Sequence, residues 1–201
     1  MIQPLEELVE ALCKLPAIGR KSAWRLALHL MERPQDEVVA LAQTIIDVRN
    51  KLIRCKRCFS YSETPICTVC SSASRDQGCI CVVEKAVDIF SIEKVGRYRG
   101  VYHILGGVLS PLNGVTAEKL RIAELMARIT TEKPRELIIG FGGSADAETT
   151  ALYLARLLRQ TEIRVTRLAR GMPAGMELEY VDQITLSQAL NERTEITYGE
   201  D

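Results

Sequence analysis

The chain has 201 residues, 47% of them hydrophobic and 26% charged, with 26 Lys and Arg set against 26 Asp and Glu. That is apolar material for one good core or two small ones, and it excludes a chain disordered by composition. No run approaches the ~18 apolar residues of a membrane helix, and Met1 to Glu10 lacks the basic start and apolar centre of an export signal, so a cytoplasmic protein without membrane contact is expected. A net charge of zero gives no hint of nucleic acid, but the charge is unevenly placed. Residues 14–57 hold ten Lys or Arg against four acids, and residues 177–201 hold seven acids and one Arg. A polyanion at the basic end and a protein contact at the acidic end would account for this; so would ordinary solvated helix faces.

Residues 1–53 read as all-helical. Leu5, Leu8, Val9 and Leu12 share one helix face, and Trp24, Leu26, Ala27 and Leu30 another. Leu15-Pro16-Ala17-Ile18-Gly19 breaks the chain between them. Pro34 ends the second helix, and a third carries Val38, Leu41, Ala42, Ile45 and Ile46 on one face, with acids in its first turn and Arg49 and Lys51 in its last. Two short helices joined in this way, with Arg20, Lys21 and Arg25 opening the second, aim backbone N–H groups and cations at a phosphate without reading sequence. The segment resembles the helix-hairpin-helix motif, whose hairpin usually reads Leu-Pro-Gly-Ile-Gly; Ala17 stands at its first glycine. A phosphate-binding P-loop at Ile18–Ser22 is excluded, because Lys14 stands at its first glycine and Arg20 precedes Lys21.

The next segment, residues 54–78, carries Cys55-Lys-Arg-Cys58 and, after eight residues, Cys67-Thr-Val-Cys70. Two C-x-x-C pairs, each wrapping one edge of a tetrahedral ion, point to a single zinc ion held by Cys55, Cys58, Cys67 and Cys70. Four thiolates leave no position for a reacting water, so the site is expected to be structural and the segment to need its metal to fold. Cys13, Cys79 and Cys81 read as buried small hydrophobes, and His29 and His103 as structural histidines.

From residue 79 the pattern alternates: strand Ile80–Val83, helix Ala86–Val95 stopped by Gly96, strand Val101–Leu105, helix Thr116–Ile129, strand Leu137–Phe141, helix Ala147–Arg159 and strand Arg164–Ala169. This predicts a mostly parallel sheet with covering helices. Glu84 follows its first strand and Asp146 and Glu148 open a later helix, so the three carboxylates fall on one rim, where Mg²⁺ could be held for phosphoryl transfer. The layout is similar to the Toprim domain of topoisomerases and primases, except that Gly142 and Ser144 stand where those enzymes carry an Asp-x-Asp pair.

Hairpin, zinc segment, Toprim-like domain and acidic tail, in this order, resemble the RecR family of bacterial recombination mediators over essentially the whole chain. The stretches that carry the resemblance are Leu15–Ala23, the four cysteines, Tyr102–Gly114, Ala151–Arg156 and Thr166–Gly175 running on to Tyr180. Gly140 to Asp146 departs from that family's usual Asn-Pro-Thr and Glu-Gly-Glu. The resemblance implies an α/β multidomain protein: a helix-hairpin-helix domain (1–53), a four-cysteine zinc finger (54–78), a Toprim-like domain (79–172) and an acidic tail engaged in oligomerisation (173–201). It also implies a homo-oligomer, a tetrameric ring able to encircle DNA, that is not an enzyme. With RecO-like and RecF-like partners this ring loads the RecA recombinase on single strands. Arg20, Lys21 and Arg25 would then face DNA, and Glu84, Asp146 and Glu148 the RecO-like partner. The competing readings are a Mg²⁺-dependent Toprim-type nuclease or primase and a zinc-stabilised adaptor that never touches DNA.

Overall fold

The computed structural model describes residues 2–195, so residues 196–201 of the acidic tail lie outside the described residues. The chain divides into two compact units, residues 1–53 and 54–201.

The first unit is three helices: α1 (Gln3–Cys13), α2 (Arg20–Glu32) and α3 (Gln35–Lys51). α1 and α2 close on Val9, Ala23 and Ala27, all fully buried, with Leu5, Leu8, Leu12, Ile18 and Trp24 packed around them. Two alanines on α2 let the helix backbones approach closely. The turn between them places Ala17 at φ +64°, in the left-handed region. α3 behaves differently: it buries no residue, and Val39, Leu41, Ile45, Ile46 and Val48 are all exposed.

After α3 come a two-stranded ribbon, β1 (Ile53–Arg54, at the boundary of the two units) and β2 (Tyr61–Ser62), and a single helical turn, α4 (Thr68–Ser71). Four parallel strands follow, β3 (Asp76–Val83), β4 (Gly100–Ile104), β5 (Glu136–Gly140) and β6 (Arg164–Arg167), in the order β4-β3-β5-β6. Between them run α5 (Ala86–Val95), α6 (Ile122–Glu132) and α7 (Ala145–Leu157). The period of two along β3 divides the core: Ile80 and Val82 join Val101, Leu125, Leu137 and Leu154 in one cluster, and Cys81 and Val83 join Ile89, Tyr102, Ile104 and the four zinc-segment cysteines in another. Val83 is level with Ile104 on one side and Gly140 on the other, so Glu84, Leu105 and Phe141 leave the sheet on the same rim. Gly96, at φ +72°, ends α5 as the sequence indicates.

The expected helix Thr116–Ile129 is interrupted. Ala117–Lys119 is a 3-10 turn, Leu120 is extended, and α6 starts only at Ile122. The Arg121 N–H donates to the Leu105 carbonyl at 2.9 Å and Leu120 is buried, so tertiary contacts draw the chain out of helix beside the end of β4. After β6 the acidic segment holds a 3-10 turn (Leu178–Tyr180) and α8 (Gln183–Asn191), whose first turn is capped by Asp182 accepting from the N–H groups of Ile184 and Thr185. Among the described residues no helix is long and apolar enough to cross a membrane. Cys81 is buried, whereas Cys13 and Cys79 are half-buried. His103 is fully buried with Nε2–H donating to the Arg121 carbonyl at 3.0 Å; His29, against expectation, is exposed on α2.

Candidate functional site

The four cysteines converge because the segment that carries them folds into two tight turns. Cys55 follows β1; its carbonyl accepts from the Phe59 N–H at 3.0 Å and its N–H donates to the Ser60 carbonyl at 2.8 Å, a knuckle that needs Phe59 in the left-handed region at φ +65°. Cys67 and Cys70 frame the start of α4. All four Sγ atoms lie within 4.8 Å of one another, and all four residues are buried. Sulfurs at about 2.3 Å from a tetrahedral ion stand roughly 3.8 Å apart, so this cage fits zinc. The thiols do not share charge evenly on their own. Hydrogen bonding from Cys70 holds Cys58 down at about 5, while burial pushes Cys67 up to about 11 and the hydrogen bond with Cys58 pushes Cys70 higher still. Four coexisting thiolates need a cation at their centre. Zinc, when bound, supplies that charge and cross-links the two turns.

The knuckle is strapped to the sheet. The Ile104 N–H donates to the Cys58 carbonyl at 2.9 Å. Arg57, between the first two cysteines, makes a two-pronged contact with Glu132 at the end of α6, at 2.7 and 2.8 Å, and donates to the Cys70 carbonyl at 3.0 Å. Arg128, almost fully buried, pairs with the same Glu132 at 2.9 Å and reaches the Tyr102 carbonyl at 2.7 Å. Sequence reasoning places Arg57 among the basic residues open to DNA; the structure gives it a carboxylate instead.

At the hairpin, Gly19 offers no side chain to cap α2, and the first intrahelical donor is the Ala23 N–H. The N–H groups of Arg20, Lys21 and Ser22 therefore have no acceptor within the helix. Arg20 is ion-paired with Glu6 on α1, which ties the two helices. Lys21 and Arg25 are exposed and form no ion pair among the described residues.

At the sheet rim the three acids are in three different situations. Glu84 accepts from the Gly142 N–H at 2.9 Å, so the loop that lacks the first Toprim aspartate is bonded to the remaining glutamate. Ser144, at the second aspartate position, is the N-cap of α7, its hydroxyl accepting from the Ala147 N–H at 3.1 Å. Glu148 is held by Arg170, whose hydrogen bond does most to keep its carboxyl below the usual range, and by Arg167 at 3.1 Å, which also binds Glu192 beyond α8. Asp146 is half-buried and forms no ion pair among the described residues. Three or more metal-ligating atoms come together, among the described residues, only at the cysteines. Nothing in the spacing of the acids signals the arginines opposite Glu148.

Four family models match the chain in succession: the RecR helix-hairpin-helix over residues 5–49, the RecR four-cysteine zinc finger domain over 52–72, the Toprim domain over 78–169 and the RecR C-terminal region over 171–194. Relatives named "Recombination protein RecR" include that of Heliobacterium modesticaldum, 44% identical over 194 residues, which cover 96% of this chain and 98% of the relative. The protein of Moorella thermoacetica is 45% identical over 194 residues (96% and 98%), and that of Chlorobium chlorochromatii 45% over 195 residues (94% and 96%). A buried four-sulfur cage that fits zinc, an uncapped helix start behind a Pro-x-x-Gly turn and a parallel sheet, matched along the full chain, make this a member of the RecR family of recombination proteins, with a four-cysteine zinc site.

Proposed function

We propose that this chain is a DNA-binding recombination mediator in DNA repair, a clamp that acts without turnover. The observation that carries the reading is the start of α2, where backbone N–H groups without an intrahelical acceptor lie beside Lys21 and Arg25, both exposed and without an ion pair among the described residues. Such a site grips phosphate by charge and backbone and is blind to base sequence. Arg20 supports it through the ion pair with Glu6, which fixes α2 against α1. In this reading the clamp works with RecO-like and RecF-like partners to load RecA on single-stranded DNA, and Glu84, Asp146 and Glu148 form the partner-facing rim. Because Arg167 and Arg170 offset Glu148, Glu84 and Asp146 carry most of its negative character.

The reading includes self-association into a tetrameric ring, supported by α3, which presents five large apolar side chains left exposed among the described residues. A ring gains residence on DNA by enclosure, so a chain of zero net charge needs only modest phosphate contacts. Zinc held by Cys55, Cys58, Cys67 and Cys70 serves folding. A Toprim-type nuclease or primase needs carboxylates where this chain has Gly142, which bonds Glu84, and Ser144, which caps α7.

The test is Lys21→Glu with Arg25→Glu in the full chain. DNA binding at low salt should disappear while zinc stays at one equivalent per chain; unchanged affinity would remove the hairpin assignment. Incubation with Mg²⁺ or Mn²⁺ and labelled DNA should give no product.

A further inference from the structure

Two arginines of the zinc-bearing unit rest on aromatic rings. Arg54, which precedes the first cysteine, lies with its guanidinium carbon 4.0 Å from the centre of the Tyr61 ring, and donates to the Phe59 carbonyl at 3.0 Å and to the Tyr61 hydroxyl at 3.1 Å. Arg121 lies over the Phe59 ring at 5.1 Å. Its Nη1 stands 2.8 Å from the point a Cβ would occupy on Gly106, a residue whose φ of +98° in the turn after β4 favours glycine, so a side chain there would push the guanidinium aside.

The arginines that fasten the knuckle and the sheet are held differently. Arg57, Arg75 and Arg128 are each matched to a glutamate, and each ties one element to another, Arg128 through the Tyr102 carbonyl. Arg54 and Arg121 form no ion pair among the described residues and rest on aromatic rings instead. A ring fixes the plane of a guanidinium and attracts its charge without itself consuming a donor, so Arg54, which spends one N–H on Phe59 and one on Tyr61, keeps its other N–H groups for a ligand. The two sites are also joined, since Arg54 bonds the backbone of the residue whose ring carries Arg121. Phe59 takes its place from the knuckle, through its N–H bond to the Cys55 carbonyl and its left-handed backbone.

Composition points the same way. From Arg54 to Ser62 there are three cations, two aromatic residues and no acid, and the Tyr61 residue is 50% exposed. Oriented cations interleaved with an accessible aromatic ring suit a polynucleotide strand, with phosphates on the guanidinium edges and a base free to rest against the tyrosine.

We propose that Arg54 and Arg121, presented by Tyr61 and Phe59 on the zinc knuckle, form a second nucleic-acid contact that takes phosphates of a single DNA strand. The inference rests on the DNA-binding reading above and adds a surface to it.

The experiment titrates a labelled oligo-dT, and a duplex of the same length, with the full chain between about 50 and 200 mM salt, the range over which phosphate contacts change affinity most visibly. The variants are Arg54→Ala, Arg121→Ala, their Lys counterparts and Lys21→Ala with Arg25→Ala, each checked for zinc content and melting. Removing one phosphate contact should lower oligo-dT affinity roughly eightfold at the low-salt end and make the slope of log K against log salt shallower by about 0.7. The Lys variants, which keep charge but not the stacked fork, should fall between. If both Ala variants stay within about twofold with unchanged slope while the hairpin variant loses binding, the knuckle contact is overturned and the hairpin stands. If knuckle variants lose binding and the hairpin variant keeps it, the knuckle contact stands and the hairpin assignment falls. Wild type that binds no DNA at low salt overturns both. Weakening confined to variants that have lost zinc, with Lys and Ala equally poor, overturns the knuckle contact.

Discussion

Ala17 shows what a single residue can cost. Its φ of +64° is one that an L side chain adopts at a cost of about 1–2 kcal/mol, yet the hairpin requires it. Ala17→Gly should stabilise the helical unit by about 0.5–1 kcal/mol after the extra chain entropy of glycine is subtracted, read as a higher urea midpoint. Gly19 is the opposite case, with φ −81° and open space around a notional Cβ, so Gly19→Ala should change stability by less than about 0.5 kcal/mol. Any loss of DNA affinity in that variant then reports how close a phosphate comes to the backbone. The metal is legible at this scale because two C-x-x-C pairs have few other uses. The pairing of charges is not. Arg20 finds Glu6 14 positions away and Arg57 finds Glu132 75 positions away, distances over which sequence carries no signal until the fold is known.

Among the elements, the contact between the zinc knuckle and α6 is the one most open to test. Burial pushes the Glu132 carboxyl up, but the hydrogen bonds from Arg57 and Arg128 outweigh it and hold the group below its ordinary value. A carboxylate whose folded value is depressed stabilises the protein above the ordinary glutamate range, and that stabilisation is lost as pH falls through the folded value. Glu132→Gln imitates the protonated state permanently. It should destabilise the zinc-bearing unit by about 1–3 kcal/mol at neutral pH, since two arginines, one of them buried, lose the opposing charge and one of its two acceptor oxygens. It should also make the melting temperature less sensitive to acid than that of the wild type. Unchanged melting would mean that the ion pair is incidental. Element types were largely readable: α5 begins and ends where apolar spacing and Gly96 place it, and β4, β5 and β6 lie within a residue or two of their predicted spans. The break before α6 was not readable, because Thr116 to Arg121 has ordinary helical composition and the competing bond comes from Leu105, in another element. The two-residue strands of the ribbon and the turn α4 were equally invisible, their shape being dictated by the cysteines.

For the whole molecule, the exposed face of α3 makes the clearest prediction. Ile45 is 62% exposed in the single chain, so Ile45→Glu should leave its stability within about 0.5 kcal/mol and its helical content unchanged. If copies meet through α3, as proposed above, the same change places a charge in that apolar contact, and the mass measured in solution by light scattering should drop to a smaller species. A variant that keeps its full mass would show that α3 is not where copies meet. The apolar spacing of α3 was visible in the sequence, but the same spacing describes a helix that packs within its own chain, and only the fold distinguishes the two.

Arg57 sits between two zinc ligands while its guanidinium is anchored on α6, and this has a kinetic meaning. Opening the loop to release the ion would have to break that anchor as well. Zinc departure is therefore expected to follow a local unfolding event and to accelerate steeply with temperature, in the manner of unfolding and not of simple ligand exchange.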